Sequence, residues 1–346
     1  MLRAVSRMIL LFGILFFLEQ TIIRVIAQVT TTKHNTIIER IAFVSNRGGF
    51  TELYTMNVDG SNQHEVTDNQ AISTNFSWSP NGSLVVYELI KDDLQYLAIS
   101  GNDTTTVSIN TTNNLTAFSP TWSPDGTWIL FHAMTNADPD IYIVNRDGSE
   151  LTNLTQSPSS NFTPQWSPDG SEIAFVSTRD GNDEIYIMDV DGSNLRNLTE
   201  NPASDTTPVW SPDGTWVAFV SNRDGYNQIF AVRVEDSTVH QLTSGSGDCY
   251  NPDWSPDGSM IVFQVHQDKS EGIDLVYVDD LQRVTLTMTE THNGVPKWSP
   301  DGEHIAFMSD RDGDFEIFVM DRDGQRLHQL TDNHAFDGFP AWIPAQ

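Results

Sequence analysis

Chemistry in this 346-residue chain would have to begin with four histidines, His132, His266, His292 and His334. An imidazole nitrogen is a ligand for zinc or manganese, so holding a cation is one thing these residues could do. Asp205, Asp248, Asn293 and Asp337 add oxygen donors, and a hard ion such as Ca²⁺ takes about six to eight of those. Glu88 and Gln264 join the set because, like His132, each stands where related segments carry an apolar residue. The same polar group could instead receive a basic loop from a partner protein. No short ligand spacing ties these residues together. Only a fold that draws distant segments to one place could make a site of them.

The relation between those segments is a repeat. Trp78, Trp122, Trp166, Trp210, Trp254, Trp298 and Trp342 stand 44 residues apart. Five of them open the string W-S-P-D-G, Trp78 opens W-S-P-N-G, and Trp342 opens W-I-P. A fixed period of this length marks stacked supersecondary units. The repeat also supplies its own control, since residues that recur serve the unit and residues that break the pattern are candidates for function. His64, His240 and His328 fall at one recurring place, where another copy has Arg196. His304 occupies a variable position and His34 precedes the array, which leaves the histidines named first.

One clear copy runs from Trp166 through W-S-P-D-G, I-A-F-V-S, T-R-D-G-N-D, E-I-Y-I-M-D, V-D-G-S and N-L-R-N-L-T. These segments predict four short strands joined by turns, with proline fixing φ and glycine supplying a positive φ in Ser-Pro-Asp-Gly. The apolar runs 41–44, 173–176, 217–220 and 305–308 lack polar alternation, so they predict strands buried on both faces. A four-stranded sheet covered on both faces by its neighbours is a propeller blade. Residues 41–67 supply the second, third and fourth strands of a unit, and Phe339-Pro340-Ala341-Trp342 supplies only a first strand. Joined, they predict an all-β, seven-bladed β-propeller over residues 39–346, its ring closed by the C-terminal strand. Closure removes the free sheet edges that invite aggregation.

The W-S-P-D-G and V-D-G-S turns should share one face of such a disc. The R-D-G loop and the connection into each tryptophan strand should share the other, and this second face is where the copies differ. Three units lack R-D-G, reading Glu88-Leu89-Ile90-Lys91-Asp92-Asp93, His132-Ala133-Met134-Thr135-Asn136 and His266-Gln267-Asp268-Lys269. Asp205, Asp248, His292, Asn293 and Asp337, leading into tryptophan strands, are expected around the mouth of the central channel.

W-S-P-D-G followed by I-A-F-x-S, R-D-G, I-Y and L-T closely resembles the propeller repeat of TolB and covers nearly all of residues 39–346. The resemblance implies a periplasmic envelope protein whose propeller binds other proteins. TolB has a separate N-terminal α/β domain and six blades, which this sequence does not match. The same repeat occurs in gating propellers of serine peptidases, but no G-x-S-x-G nucleophile motif is found here. Oligogalacturonate lyases share the general fold, with histidine-held metal.

Ahead of the array, Arg3 and Arg7 precede an apolar run from Met8 to Leu18, and Val25 and Ala27 fit a cleavage site after Ala27. Residues 1–27 therefore read as a secretory signal and 28–38 as a linker, leaving no stable membrane span after cleavage. A net charge of −29 repels phosphate backbones, so nucleic acid is a poor partner. The lone Cys249 forbids an internal disulfide, and its acidic neighbour Asp248 disfavours a reactive thiolate. The strings 189–192 and 321–324, D-x-D-G, lack the later glutamate of a calcium loop and read as hairpin turns.

The expectation is thus a periplasmic or secreted, monomeric, non-catalytic module that binds an envelope or secreted protein on its variable face. No cofactor is required, although Ca²⁺ or another divalent metal would suit the channel mouth. The alternative is a metal-dependent polysaccharide lyase of oligogalacturonate type using His132, His266, His292 or His334.

Overall fold

The computed structural model describes residues 39–345 except 70–71, 92–93, 102–106, 110–114 and 135–137. The signal and linker readings lie outside the described residues. What is described is all-β: seven antiparallel sheets, each of four strands. In the fourth blade the strands are Asn161–Trp166, Glu172–Ser177, Glu184–Asp189 and Arg196–Asn197. The second and third of these are buried at nearly every position because neighbouring blades cover both faces. Ala174, Val176, Ile185 and Ile187 of blade four pack on Trp210, Val217, Phe219 and Phe230 of blade five. One aromatic per blade, at a spacing of 44, is wholly enclosed: Phe43, Tyr87, Phe131, Phe175, Phe219, Phe263 and Phe307.

Closure follows the expected route. The strand Asp337–Ile343 pairs antiparallel with Arg40–Ser45, completing the first blade with Glu52–Asn57 and His64–Glu65. The tryptophans are core residues and also staples. The indole N–H groups of Trp122, Trp166, Trp210, Trp254 and Trp342 donate across to the preceding blade, to the carbonyls of Ser77, Thr121, Gln165, Val209 and Lys297 at 3.0–3.4 Å.

The W-S-P-D-G turn is self-contained. Ser211 Oγ donates to Asp213 at 2.6 Å and accepts the Trp216 N–H at 3.0 Å, while Asp213 Oδ1 accepts the Thr215 N–H. These bonds, led by the one from Ser211, hold the Asp213 carboxyl below its usual range. Glycine is required in the second blade's version of this turn. Gly82 has φ 62°, and a Cβ there would run into the backbone carbonyl of Pro344. The 189–192 and 321–324 strings are hairpin turns as expected, with Gly192 at φ 84° and Gly324 at φ 78°.

Candidate functional site at the variable rim

From the second blade round to the first, successive first strands adjoin one another, so these strands form the inner wall. Four of them begin with a residue at one repeat position: Asn161, Asp205, Asn293 and Asp337, all 0% exposed. Each is met by the arginine of its own blade's R-D-G loop, or R-G-G in the first blade. Arg179 reaches Asn161 at 3.0 Å, Arg223 reaches Asp205 at 2.7 Å, Arg311 reaches Asn293 at 2.6 Å and Arg47 reaches Asp337 at 2.5 Å. Every one of those guanidiniums also lies over an aromatic ring of the third strand, for example Arg223 over Phe230 at 4.7 Å from the ring centre. Asp205, Asn293 and Asp337 are therefore enclosed and occupied, with burial the main influence pushing the Asp205 carboxyl up.

The other sequence-selected residues fall in different places. Glu88 is buried and accepts the Ser119 N–H at 2.6 Å and an amide hydrogen of Asn75 at 3.0 Å. His132 stacks on Phe118 at 5.3 Å, and its buried Nδ1 has no hydrogen-bond partner. Burial drives its pKa down to about 4, so the ring is neutral near pH 7. Asp248 accepts the Asn227 N–H at 2.7 Å, and His334 is exposed. Cys249 is fully buried, which pushes its thiol pKa up and keeps it unreactive.

Gln264, His266, His292 and Asn293 are brought together, and the reason is local. The sixth blade has Gln267 where others have the loop arginine. Without that loop its second and third strands, Met260–Gln267 and Ser270–Tyr277, run on to a tight turn, and His266 pairs across from Glu271. His266 Nδ1 lies 3.1 Å from Glu271 Oε1, and His292 Nε2 lies 4.0 Å from the same oxygen. Asp310 Oδ2 holds His292 Nδ1 at 2.6 Å and is the main cause of that ring's raised pKa. Behind Glu271, Gln264 donates to Oε2 at 3.4 Å and accepts from Asn251 at 2.9 Å. Asn293 bonds the Glu271 carbonyl at 3.0 Å.

An aromatic row continues from this polar group toward the closing strand. Ring centres are 6.0 Å apart for His292 and Phe315, 5.7 Å for Phe315 and Phe336, and 5.9 Å for Phe336 and Phe339. Phe339 is 48% exposed. Phe50 and Tyr226, on R-G-G and R-D-G loops of this same face, are also large exposed aromatics. The clefts on the opposite face, such as that between Ser211-Pro212-Asp213 and Pro256-Asp257-Gly258, recur from blade to blade and belong to the architecture. On that face Glu39, Asp301 and His304 each bring one ligand-type atom within 4.8 Å of the others.

Sequence reasoning missed two groups. Glu271 emerges only once the extended hairpin is known, and Asp310 only once the seventh blade's loop is placed beside its own entry residue His292. Ser119, Thr163, Thr207, Asn251, Val295 and Phe339 were also overlooked, all in the left-handed region with φ of 48–56° on the inner strand. Each interrupts the pairing of first and second strands as a bulge. The signal was present: a proline follows each of them, two residues before the tryptophan.

Among the described residues no helix is long and apolar enough to cross a membrane. A stretch of 56 residues is 41% identical to the Tol-Pal system protein TolB of Syntrophotalea carbinolica, covering 16% of this chain and 13% of that protein. The chain thus matches only a small part of that relative's length. The structure resembles TolB from Acinetobacter baumannii with a TM-score of 0.59 and 20% identity, over 92% of this chain and 70% of that one. It resembles an oligogalacturonate lyase from Vibrio parahaemolyticus with a TM-score of 0.69 and 17% identity, over 81% and 85% of the two chains. At such identities both likenesses speak for the fold alone. Residues 90–290 and 252–346 match the profile of the TolB beta propeller domain, and the chain belongs to that family.

Proposed function

We propose that this chain is a non-catalytic protein-binding module of the periplasm or secreted fraction, and that it takes its partner at the rim where blades six, seven and one meet. The observation that carries this reading is the exposed Phe339 at the end of the half-buried aromatic row, set beside the open His266–Glu271–His292 group. Aromatic side chains with large exposed area are the usual anchors of protein interfaces, and polar rims around them set orientation. The buried buttresses Asn293 and Asp337 support that rim without touching the partner. Kinship to a Tol-Pal system protein supports an envelope setting with protein partners.

The test is capture from the native envelope and secreted fractions with the full chain as bait. A second bait carries Phe50→Ser and Phe339→Ser, and a third carries Leu281→Ser, an exposed residue on the opposite face. A protein held by the first and third baits and lost by the second supports the reading. A protein lost only by the third contradicts it.

A further inference from the structure

We infer that His266, Glu271 and His292 form a site for one divalent transition-metal ion of the zinc type. The inference does not depend on the docking reading. Two imidazole nitrogens approach a single carboxylate oxygen, at 3.1 and 4.0 Å. Ligand atoms bound at about 2.0–2.2 Å to a tetrahedral zinc lie roughly 3.3 Å apart, so the first separation already fits, whereas the two imidazole nitrogens stand more than 4.8 Å from each other and must close on the ion as it binds. The His292 side chain is 59% exposed and can pivot on its hydrogen bond to Asp310 to close that gap. Two nitrogens and one carboxylate suit zinc or a neighbouring transition metal better than calcium, which wants an all-oxygen shell.

The surroundings are those of a ligand set. Asp310 takes His292 Nδ1 with one oxygen and the His292 backbone N–H, at 2.7 Å, with the other. It thereby fixes the ring from behind and leaves Nε2 turned toward Glu271, as a carboxylate behind a metal-bound histidine does. Gln264 engages Glu271 Oε2, which leaves Oε1 to the imidazoles. The ligands stand on a strand hairpin and at the entry to the next blade's first strand, so their spacing is set by paired backbone.

The blade itself does not demand histidines here. Two blades earlier on the same face, the positions of His292 and Glu271 are filled by Ser204 and Asp183, joined by a simple hydrogen bond of 2.7 Å. The position of His266 and Asp310 is Thr178 or Asn222 elsewhere, whose side chains cap the Ser160 and Ser204 N–H groups. Architecture is satisfied by small polar residues; two imidazoles facing one carboxylate add a capacity the repeat does not need. The chain's net charge of −29 favours cation capture.

The test uses the untagged full chain, stripped with chelator and titrated with zinc chloride by calorimetry, with bound metal counted after dialysis. One equivalent of zinc is expected, with at least tenfold weaker binding in His266→Ala and in His292→Ala. Asp310→Asn should weaken binding about 10- to 100-fold, the range for outer-shell partners. Asn222 occupies that position in another blade, so the backbone cap survives the change. Zinc should raise the melting temperature of the wild type and leave the double variant His266→Ala/His292→Ala unmoved. His304→Ala, in the other candidate group, should bind normally. No bound zinc, or one equivalent retained by the double variant with its fold intact, overturns the assignment.

Discussion

Arg47 and Asp337, 290 residues apart in sequence, meet at 2.5 Å with the carboxylate wholly enclosed. The contact joins the first blade's own loop to the strand that closes it. Breaking a buried pair by removing one partner costs roughly 3–5 kcal/mol, because the remaining charge is left without compensation. Asp337→Ala should therefore lower stability by about 3 kcal/mol, read as a reduced urea midpoint. Asp337→Asn should cost far less, since Asn161 and Asn293 fill the same position opposite Arg179 and Arg311. Equal losses in the two variants would refute the buttress role.

The same carboxylate has an acidic neighbour. Burial, with Asp337 adding to it, pushes the Glu316 carboxyl up to about 7, and Arg47 is the cation on the far side of Asp337. A folded-state pKa above the ordinary 4.5 means the native state binds the proton more tightly. Its stabilising contribution is complete below about pH 4.5 and is lost as pH rises through about 7. At about 1.4 kcal/mol per unit, the loss is at most about 3 kcal/mol. Stability should fall from pH 5 to about 7.5 in the wild type and fall less in Glu316→Gln. Glutamine fits, because Gln228 stands at that position in the fifth blade and binds Thr243. A flat wild-type profile would contradict a raised Glu316 pKa in the folded ring.

The tryptophan staple separates two variants that would otherwise look alike. Trp210→Phe loses the bond from Nε1 to the Gln165 carbonyl and should cost about 1 kcal/mol beyond the change in packing. In Trp298 the buried Nε1 has no partner, so Trp298→Phe should cost less. Truncation of either to alanine should cost roughly 3–5 kcal/mol through the cavity it leaves.

Val295, like Thr163 and Thr207 at the same repeat position, is a β-branched residue in the left-handed region, with φ 52° immediately before a proline, and Val has no side-chain hydrogen-bonding group to offset the strain. Asn251 holds the same place one blade earlier and tolerates that conformation better. Val295→Asn should raise stability by about 1 kcal/mol. A loss instead would show that packing at Val295 outweighs its backbone cost.

The architecture was legible because the tryptophan period, the Ser-Pro-Asp-Gly turns and the split first blade all state one geometry. The buried role of Asp205, Asn293 and Asp337 was legible too, but only by comparing two positions at once. Loop arginines at 47, 179, 223 and 311 accompany Asp337, Asn161, Asp205 and Asn293, while the blades with Ser73, Ala117 and Cys249 have no such arginine. A single-position scan saw acidic residues where a paired scan sees an arginine's partner. Glu271 was out of reach, since its meeting with His266 depends on strand register and its meeting with His292 on the stacking of two blades.

The claim that the variable rim recognises a protein is tested most directly by titrating a captured partner against three forms of the chain. These are the wild type, Phe50→Ser/Phe339→Ser and Leu281→Ser, each shown to melt as a folded ring. The account predicts at least a tenfold loss of affinity for the aromatic pair and none for Leu281→Ser. Undiminished binding by the aromatic pair, with loss in Leu281→Ser, would place recognition on the opposite face and contradict it.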